Sequence, residues 1–304
     1  MKVLLIGHGY VGSYLRPIVE AAGHDVVICD QNLQRITGVP FAMRCRYQEL
    51  SFGDFRDFDV ILWFTGHSSV PMSLSDPDGA VANNCLDLLQ LARRKPSRTR
   101  LIYASTASVY SAEVEAGADA PPPELSEAET KLSPVNPYDC SKISFDALAR
   151  CFAENVVGLR LGTVCGYSPQ LRGELVFNAM NRAAINDRAV SVANPKSWRN
   201  ILFLDDLAYY VTALIEAEGA LPAILNAGSY NLTIGELAAT IAQVHDVPMI
   251  RRADTKTYSF RMNCALIKSI CGAPPRTTLI DRCRDFTAAL KAASDRLDTM
   301  AMAS

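Results

Sequence analysis

A tyrosine and a lysine four positions apart, Tyr138 and Lys142, are residues whose types and spacing suggest chemistry. On a helix, residues at i and i+4 share one face, so the phenol and the ammonium would point the same way. A nearby ammonium stabilises the phenolate and lowers the tyrosine pKa, which would let Tyr138 act as a general base or acid. Taken alone, the same spacing also fits a surface tyrosine beside a solvated lysine.

Thr106 adds a third group to this pair. It lies just past a predicted strand that ends at Ala104. In doubly wound folds, ligands bind at the C-terminal edge of the strands, so the Thr106 hydroxyl could share a substrate oxygen with the tyrosine. We therefore predict that Thr106, Tyr138 and Lys142 are the catalytic residues.

A glycine motif near the start of the chain predicts a dinucleotide site. Gly7, Gly9 and Gly12 form Gly-x-Gly-x-x-Gly between a predicted strand and a predicted helix. The first glycine permits a tight turn, the second lets a pyrophosphate approach the backbone, and the third lets the helix pack on the strand. The N–H groups at the helix N-terminus would then bind phosphate. We include Tyr10 and Val11, inside the motif, among the cofactor-binding residues.

An aspartate at the end of the second predicted strand suggests which dinucleotide binds. Asp30 follows Gly12 by 18 residues. A carboxylate at this position accepts hydrogen bonds from the adenosine ribose and repels a 2′-phosphate, so we predict NAD rather than NADP. The alternative is a structural glycine turn followed by a surface aspartate.

The elements that must position these groups alternate between strands and helices. Continuous apolar strands separated by helices are typical of a parallel sheet covered on both faces. We predict an α/β fold, a doubly wound parallel (Rossmann) sheet with a smaller C-terminal substrate-binding region. The predicted strands are 3–6, 26–29, 60–64, 100–104 and 156–161, and the predicted helices are 11–22, 79–94 and 138–154.

The alternation becomes irregular after Gly166, which suggests how the chain is divided. We predict that residues 1–165 plus about 200–228 form the NAD-binding domain. Residues 166–199 plus 229–304 would form the substrate-binding region. Short strands near 200–204 and 224–226 are expected to return to the main sheet. The acidic, proline-rich segment 111–137 is predicted to be a surface loop, either a lid or a solvated excursion.

Composition argues against several other classes of protein. The 304 residues carry 30 basic and 32 acidic side chains, and a formal charge of −2 predicts no nucleic-acid partner. No apolar run approaches the roughly 18 residues of a membrane span, and the first run is too short for a signal peptide, so we expect no membrane partner. Nine scattered cysteines indicate reduced thiols and a cytoplasmic location. Four scattered histidines predict no metal site.

These segments together resemble the extended short-chain dehydrogenase/reductase family, in particular its NAD-dependent nucleotide-sugar epimerases and dehydratases. The resemblance covers nearly the whole chain, although Ile6 stands where the family usually has its first loop glycine. Thr106 takes the catalytic Ser/Thr position, and Asn84 matches an asparagine of the family's fourth helix. The segments that carry the resemblance are 59–66, 101–110, 136–142, 159–166 and 198–207.

The resemblance implies further binding residues. Phe64, Thr65 and Gly66 would lie beside the nicotinamide ribose, which Tyr138 and Lys142 would also contact. The Arg199 segment corresponds to one whose arginine binds the nucleotide diphosphate. Arg172 and Arg182 suit either phosphate binding or a solvated helix face. The predicted substrate-binding residues are His67, Thr106, Thr163, Asn178 and Arg199.

The residues after Thr106 narrow the reaction within the family. The 4,6-dehydratases carry Asp-Glu there, whereas this chain has Ala107 and Ser108, neither of which is an acid or base at neutral pH. Redox chemistry at one carbon remains. We predict a nucleotide-sugar 4-epimerase that acts through a transient keto intermediate. The alternatives are a nucleotide-sugar 4-ketoreductase or dehydrogenase, and a non-catalytic dinucleotide-binding protein.

The resemblance also implies a homodimer. In the family, two helices per subunit form a four-helix interface, and here the corresponding helices, 79–94 and 138–154, each carry an apolar stripe. The same stripes would also suit packing against the sheet. The stripe residues are Val81, Cys85, Leu88 and Ala92 on the first helix, and Ile143, Ala147 and Cys151 on the second.

Overall fold

A computed structural model describes residues 1–111, 121–129, 132–152, 155–255 and 257–303. Its strands are β1 (Lys2–Ile6), β2 (Asp25–Cys29), β3 (Ala42–Met43), β4 (Val60–Trp63), β5 (Arg100–Thr106), β6 (Glu124–Leu125), β7 (Val156–Leu161), β8 (Thr163–Cys165), β9 (Val190–Val192), β10 (Trp198–Phe203), β11 (Ile224–Ala227), β12 (Tyr230–Thr233), β13 (Met249–Arg251) and β14 (Arg261–Met262).

The helices alternate with these strands through most of the chain. They are α1 (Tyr10–Ala21), α2 (Leu33–Ile36), α3 (Phe52–Phe55), α4 (Val70–Ser75), α5 (Pro77–Val81), α6 (Asp87–Arg94), α7 (Pro137–Phe152), α8 (Val176–Asn186), α9 (Leu204–Glu216), α10 (Ile234–His245), α11 (Ala265–Cys271) and α12 (Leu279–Ala303). A π-helical turn, Ala82–Leu86, joins α5 to α6.

The predicted doubly wound sheet is confirmed. Seven strands lie in the order β11-β7-β5-β4-β1-β2-β3, and each pairing is parallel. From β1 the chain runs outward to β2 and β3, then crosses back to β4 on the other side of β1. In open α/β sheets, ligands bind outside the carboxyl ends of the strands at such a reversal. The glycine loop after β1 and the segment after β4 therefore border the same crevice.

The two strands predicted near 200–204 and 224–226 lie in different sheets. β11 joins the seven-stranded sheet beside β7, as expected, whereas β10 lies between β8 and β12 in a separate three-stranded sheet. The chain leaves the main sheet at Gly162, where an added Cβ would lie 2.3 Å from Oδ1 of Asn200. This close approach lets β8 pair with β10, and it depends on residues distant in sequence.

Part of the acidic segment 111–137 pairs with the C-terminal region. β6 forms a parallel two-stranded sheet with β14, and Arg261 binds Glu124 at 2.6 Å. Residues 121–129 are therefore anchored instead of forming a free surface loop. Residues 112–120 and 130–131 of the predicted loop lie outside the described residues.

Apolar side chains cover both faces of the main sheet and form a third core under the three-stranded sheet. Helices α1 and α9 cover one face with residues such as Leu15 and Val211. Helices α6 and α7 cover the other with Leu88 and Phe145. Phe177 belongs to the third core, with α10 and α12. Within the described ranges, no helix is both long and apolar enough to cross a membrane.

The apolar stripes predicted to face a second subunit are divided between core and surface. Cys85 and Leu88 are buried against the main sheet, which is the alternative packing that the sequence left open for this stripe. The π-helical turn contains Cys85 and adds a residue to the helical repeat, which shifts the face that meets the sheet. Ala147 and Cys151 on α7 are exposed, and Val81 is 41% exposed.

A buried ion pair fastens α7 to the sheet. Asp146 Oδ2 on α7 lies 2.9 Å from Arg160 Nε on β7, and each side chain is only 1% exposed. The Tyr103 hydroxyl donates to Asp146 Oδ1 at 2.9 Å, and Arg160 Nη1 donates to the Tyr110 hydroxyl at 2.8 Å. A Cβ at Gly158 would lie 2.4 Å from the Tyr103 ring, so glycine there leaves room for that tyrosine.

Asp146→Ala tests the importance of this pair. The substitution leaves the Arg160 charge buried without its carboxylate, and we expect a loss of about 3–5 kcal/mol in the free energy of unfolding. Urea denaturation followed by circular dichroism measures it. Glu20→Ala is the matched control because it breaks the more exposed Arg16–Glu20 pair, and such i,i+4 pairs contribute about 0.3–0.5 kcal/mol. Equal losses in both variants would contradict the assignment.

Candidate active site

A cleft of about 910 Å³ opens at the carboxyl ends of β1, β2 and β4. Its walls include most of the residues that the sequence predicts for cofactor binding, together with one residue predicted for substrate. The predicted residues that line it are Gly7, Gly9, Tyr10, Val11, Asp30, Phe64, Thr65, Gly66 and His67. The structure therefore brings the glycine loop, the acidic end of β2 and the end of β4 into one site.

The glycines are required by close backbone approaches. Gly7 has φ +98°, and a Cβ there would lie 2.8 Å from the Phe64 carbonyl oxygen. A Cβ at Gly12 would lie 1.9 Å from the Gly7 carbonyl oxygen, so Gly12 serves helix packing and lies outside the cleft wall. No side chain caps the start of α1 at Gly9. The first amide donors of α1 are thus available to a phosphate group.

Asp30 holds the glycine loop and also faces the cleft. Its Oδ2 accepts a hydrogen bond from the His8 amide at 2.7 Å, and its Oδ1 accepts one from the Asn32 amide at 2.8 Å. Arg35 Nη1 lies 3.8 Å from Oδ2. Each carboxylate oxygen can accept two hydrogen bonds, so the side chain retains acceptor capacity for ribose hydroxyls.

Several residues at this end of the cleft were missed by the sequence analysis. The wall continues through Cys45, Arg46, Tyr47 and Gln48, which follow β3. β3 has only two residues, and its place in the sheet rests on short pairings with Ile28 and Cys29. A strand so short gives no periodic signal that could have revealed it.

The opposite wall is formed by residues 169–172 of the segment after β8. Arg172 Nη1 donates to the Ser68 carbonyl oxygen at 3.2 Å, and its Nε donates to Glu174 at 2.7 Å. Arg172 therefore connects the two walls of the cleft. The sequence left its role open, and the structure places it in the site.

Asn178 supports this wall instead of facing a ligand. Its Oδ1 accepts a hydrogen bond from the Gly166 amide at 3.0 Å, and its Nδ2 donates to the Arg172 carbonyl oxygen at 2.9 Å and to the Tyr10 hydroxyl at 3.1 Å. Tyr10 in turn donates to the Gly166 carbonyl oxygen at 2.7 Å. Because Asn178 is fully buried and bound to protein groups, its prediction as a substrate contact is wrong.

The three predicted catalytic residues meet at the end of β5. Thr106 ends β5, Tyr138 lies in the first turn of α7, and their side chains lie close enough to interact. Lys142 is buried, and its ammonium donates to the Ala104 carbonyl oxygen at 2.8 Å. Asn84 connects this group to the cleft, since its Nδ2 donates at 3.0 Å to the His67 carbonyl oxygen and to the Ser141 hydroxyl.

The protonation of Tyr138 differs from the sequence prediction. Burial raises the pKa of Tyr138, with a smaller contribution from Asp139, whereas the charge of Arg172 lowers it. Burial also lowers the pKa of Lys142 to about 8. The predicted lowering of the Tyr138 pKa by Lys142 is therefore wrong for this state, because desolvation dominates and the ammonium is bound to a backbone carbonyl oxygen.

His67 lies in the cleft wall with a defined orientation. Its Nδ1 lies 3.1 Å from Asn83 Nδ2, and its Nε2 lies 3.1 Å from Asp76 Oδ2. Asn83 Nδ2 also donates to the Gly79 carbonyl oxygen at 2.8 Å, which identifies it as the amide nitrogen and leaves its other proton for His67 Nδ1. Nε2 is then free to donate to Asp76.

Arg199 and Thr163 form a second group outside the cleft wall. Arg199 Nη2 donates to the Thr257 hydroxyl at 2.5 Å, and its guanidinium lies 5.8 Å from the centroid of the Tyr258 ring. Burial lowers the pKa of Arg199 to about 10. Thr163 pairs with Ile201 in the same small sheet. The Tyr258 hydroxyl accepts a hydrogen bond at 2.9 Å from Asn136, which directly precedes α7.

Two curated proteins are similar to this chain in sequence. A UDP-glucose 4-epimerase from Lacticaseibacillus casei is 30% identical over 186 residues, which cover 55% of this chain and 52% of that protein. The chain thus matches about half the length of that relative. A UDP-glucose 4-epimerase from Streptomyces lividans is 27% identical over 278 residues, 80% of this chain and 81% of that protein.

Solved structures show the same fold at low sequence identity. MoeE5 in complex with UDP-glucose and NAD has a TM-score of 0.80 at 20% identity, over 96% of this chain and 99% of that chain. UDP-glucuronic acid 4-epimerase from Bacillus cereus, in complex with UDP-glucuronic acid and NAD, has a TM-score of 0.77 at 19% identity. That match covers 96% of this chain and all of that chain.

The family model spans both the glycine loop and α7. The model of the NAD dependent epimerase/dehydratase family matches residues 3–228, well over half of the chain. The resemblance inferred from the sequence is therefore confirmed, and the chain belongs to the NAD-dependent epimerase/dehydratase family.

Proposed function

We propose that this protein is an NAD-dependent nucleotide-sugar epimerase acting at C4 of the sugar through a transient keto intermediate. The observation that carries the proposal is the placement of Thr106, Tyr138 and Lys142 together at the end of β5, next to a cleft with dinucleotide features. The two curated relatives are UDP-glucose 4-epimerases, which supports the same reaction class.

NAD fits the residues of the cleft. The uncapped start of α1 suits a pyrophosphate, and Asp30 has acceptor capacity for the adenosine ribose. Phe64, Thr65 and Gly66 would border the nicotinamide end, where Lys142 would contact the ribose. NAD supplies a hydride acceptor at the sugar carbon, and the protein supplies binding and proton transfer.

The protein groups move and hold a proton at one oxygen. Tyr138 takes the proton from the sugar 4-hydroxyl and returns it after the keto sugar has turned over in the pocket. Thr106 holds the same oxygen by a hydrogen bond. Ala107 and Ser108 offer no general acid or base for eliminating water, which favours redox chemistry at one carbon over dehydration.

The sugar nucleotide would be held by the smaller part of the chain. We assign the diphosphate to Arg199, because within the described residues its partly buried guanidinium forms no ion pair with a carboxylate. Thr163 and His67 would border the sugar. Residues 166–199 plus 229–304 then form the substrate-binding region, and residues 1–165 plus about 200–228 form the NAD-binding domain.

A panel of UDP-, GDP-, CDP- and dTDP-sugars tests the function. We expect one sugar to be converted to its C4 epimer without net consumption of NAD, as judged by product analysis and absorbance. Tyr138→Phe should reduce turnover on the order of 10²–10⁴-fold, because it removes the proton-transfer group and keeps the ring. The fold and NAD binding should remain nearly intact.

The products separate the proposal from its alternatives. Stoichiometric use of NADH would indicate a ketoreductase. Tight NAD binding without conversion of any sugar, or near-wild-type turnover by Tyr138→Phe, would indicate that the proposed chemistry does not operate here.

Asp30→Asn tests the choice of cofactor. The amide is similar in shape and removes the charge, so NAD should bind more weakly and the preference for NAD over NADP should narrow. Calorimetric titration of both cofactors into both proteins measures this. Gln31→Ala is the control at a neighbouring position in the same cleft wall. If the unchanged protein bound NAD and NADP with equal affinity, this would contradict the inference that the Asp30 carboxylate selects NAD.

We also propose a homodimer in a reducing compartment, the cytoplasm. The surface beside α7 exposes Leu74 at 63%, Leu86 at 50% and Val81 at 41%, a set of apolar side chains that a second subunit would cover. Nine scattered cysteines, with no Cys-x-x-Cys pair, support a reducing compartment.

Light scattering at micromolar concentration tests the assembly. We expect a mass twice that of the 33.1 kDa chain. Leu74→Glu should shift the protein towards monomers, because it places a charge in the proposed interface, while Met249→Glu on an exposed strand elsewhere should not. A monomeric unchanged protein would contradict the proposal.

A further inference from the structure

We propose that Asp139, acting through Ser108, is a positioning residue that sets the direction in which the Thr106 hydroxyl donates its hydrogen bond. The inference deepens the proposed function and rests on it, because Thr106 and Tyr138 are taken as the groups that meet the sugar oxygen. Asp139 lies between Tyr138 and Lys142 in the sequence, but no role follows for it from the Tyr-x-x-x-Lys spacing.

The carboxylate of Asp139 is fully buried in the first turn of α7. The Ser108 hydroxyl donates to its Oδ1, and Asn136 Nδ2 donates to its Oδ2 at 2.6 Å. The Asp139 amide donates back to Asn136 Oδ1 at 3.0 Å. These bonds fix which way Asn136 points, so both carboxylate oxygens have assigned donors.

The number of available protons then determines the direction of the remaining bond. An ionised carboxylate only accepts hydrogen bonds, so Ser108 must use its single hydroxyl proton on Asp139. Thr106 Oγ1 lies 2.8 Å from Ser108 Oγ and must therefore donate its own proton to Ser108. The Ser108 amide donates to Thr106 Oγ1 at 3.2 Å. Thr106 Oγ1 then keeps one lone pair, which can accept a hydrogen bond from the protonated Tyr138 or from the sugar hydroxyl, but it has no second proton to donate.

This direction suits the first half of the proposed reaction. In this direction Thr106 places no proton on the Tyr138 oxygen, whose lone pairs stay available for the single proton of the sugar hydroxyl. If Asp139 were protonated, it could donate to Ser108, Ser108 to Thr106, and Thr106 to the sugar oxygen. The charge of Asp139 thus decides whether Thr106 accepts or donates.

A purely structural role explains the arrangement less well. A buried carboxylate is costly unless it is paired or fully hydrogen-bonded, and no ion pair of Asp139 occurs in the described part of the chain. Burial raises the pKa of Asp139, against the opposing effect of the bonds from Ser108 and Asn136. The nearby ionisable groups are Tyr138 on the same helix, Tyr258 bonded to Asn136, and Arg172, whose charge acts on Tyr138.

Two variants test this series of hydrogen bonds between Asp139, Ser108 and Thr106, which we call the relay. Asp139→Asn should reverse its direction, whereas Ser108→Ala removes its middle member. In Asp139→Asn, Asn136 still donates to the side-chain oxygen, so the new amide nitrogen faces Ser108 and donates to it. Ser108 must then donate to Thr106, which reverses the relay. Ser108→Ala removes the side chain that receives the Thr106 proton and leaves the direction of the Thr106 hydroxyl unconstrained. Cys140→Ala is the control, since Cys140 is an exposed neighbour in the same turn.

We expect kcat of the NAD-loaded enzyme to fall on the order of 10–100-fold in Asp139→Asn, and less in Ser108→Ala, with KM nearly unchanged in both. The acid limb of the wild-type kcat profile that reports Asp139 should be absent from Asp139→Asn. Cys140→Ala should match the wild type. A smaller loss in Asp139→Asn than in Ser108→Ala, or an unchanged pH profile, would overturn the proposal.

A titration that needs no turnover separates this inference from the proposed function. Carboxyl carbon NMR of the aspartate-labelled protein, with the Asp139 signal assigned by its absence from Asp139→Asn, should show a higher Asp139 pKa in Ser108→Ala. The reason is that the substitution removes a hydrogen bond to the ionised form. If this shift occurs but no nucleotide sugar reacts, the function fails and the hydrogen-bond direction stands. If the pKa is unchanged, the relay is overturned.

Discussion

The buried ion pair between Asp146 and Arg160 is the constraint on which the geometry of the site depends. Tyr138, Lys142 and Asp146 follow one another at four-residue spacing along α7, so they share one helix face. Fixing Asp146 against β7 therefore fixes the rotation of α7 and turns the other two side chains towards the end of β5. Such a pair contributes limited net stability, but breaking it is costly, which opposes alternative rotations of α7.

The same pair continues into a polar network that joins distant parts of the chain. Arg160 donates to Tyr110, and the Tyr110 hydroxyl donates to Asn226 on β11 at 2.7 Å. The Asn226 amide donates to Glu127 at 2.8 Å. The described part of the acidic segment is thereby held against the main sheet. Its strand β6 also pairs with β14, which extends this connection towards β10. The acidic segment therefore connects the two parts of the site.

The sequence predicted those features that depend on residues close together in the chain. The glycine loop, the main strands and the spacing of Tyr138 and Lys142 follow from backbone conformation and helix periodicity, and the structure reproduces them. The role of Asn178 and the pKa of Tyr138 could not be predicted, because they depend on groups far away in sequence and on burial. The same holds for Cys85, whose burial follows from a π-helical turn that residue periodicity does not reveal.

The Asn136 side chain fixes the position of the first turn of α7 relative to Arg199. Its Oδ1 accepts from the Asp139 amide, while its two Nδ2 protons go to the Asp139 carboxylate and the Tyr258 hydroxyl. Tyr258 lies beneath the guanidinium of Arg199. One side chain therefore fixes the first turn of α7 relative to the arginine assigned to the diphosphate. Since a sugar nucleotide must place its C4 hydroxyl at Tyr138 while its diphosphate remains bound, a fixed spacing between these two points is what the proposed reaction requires.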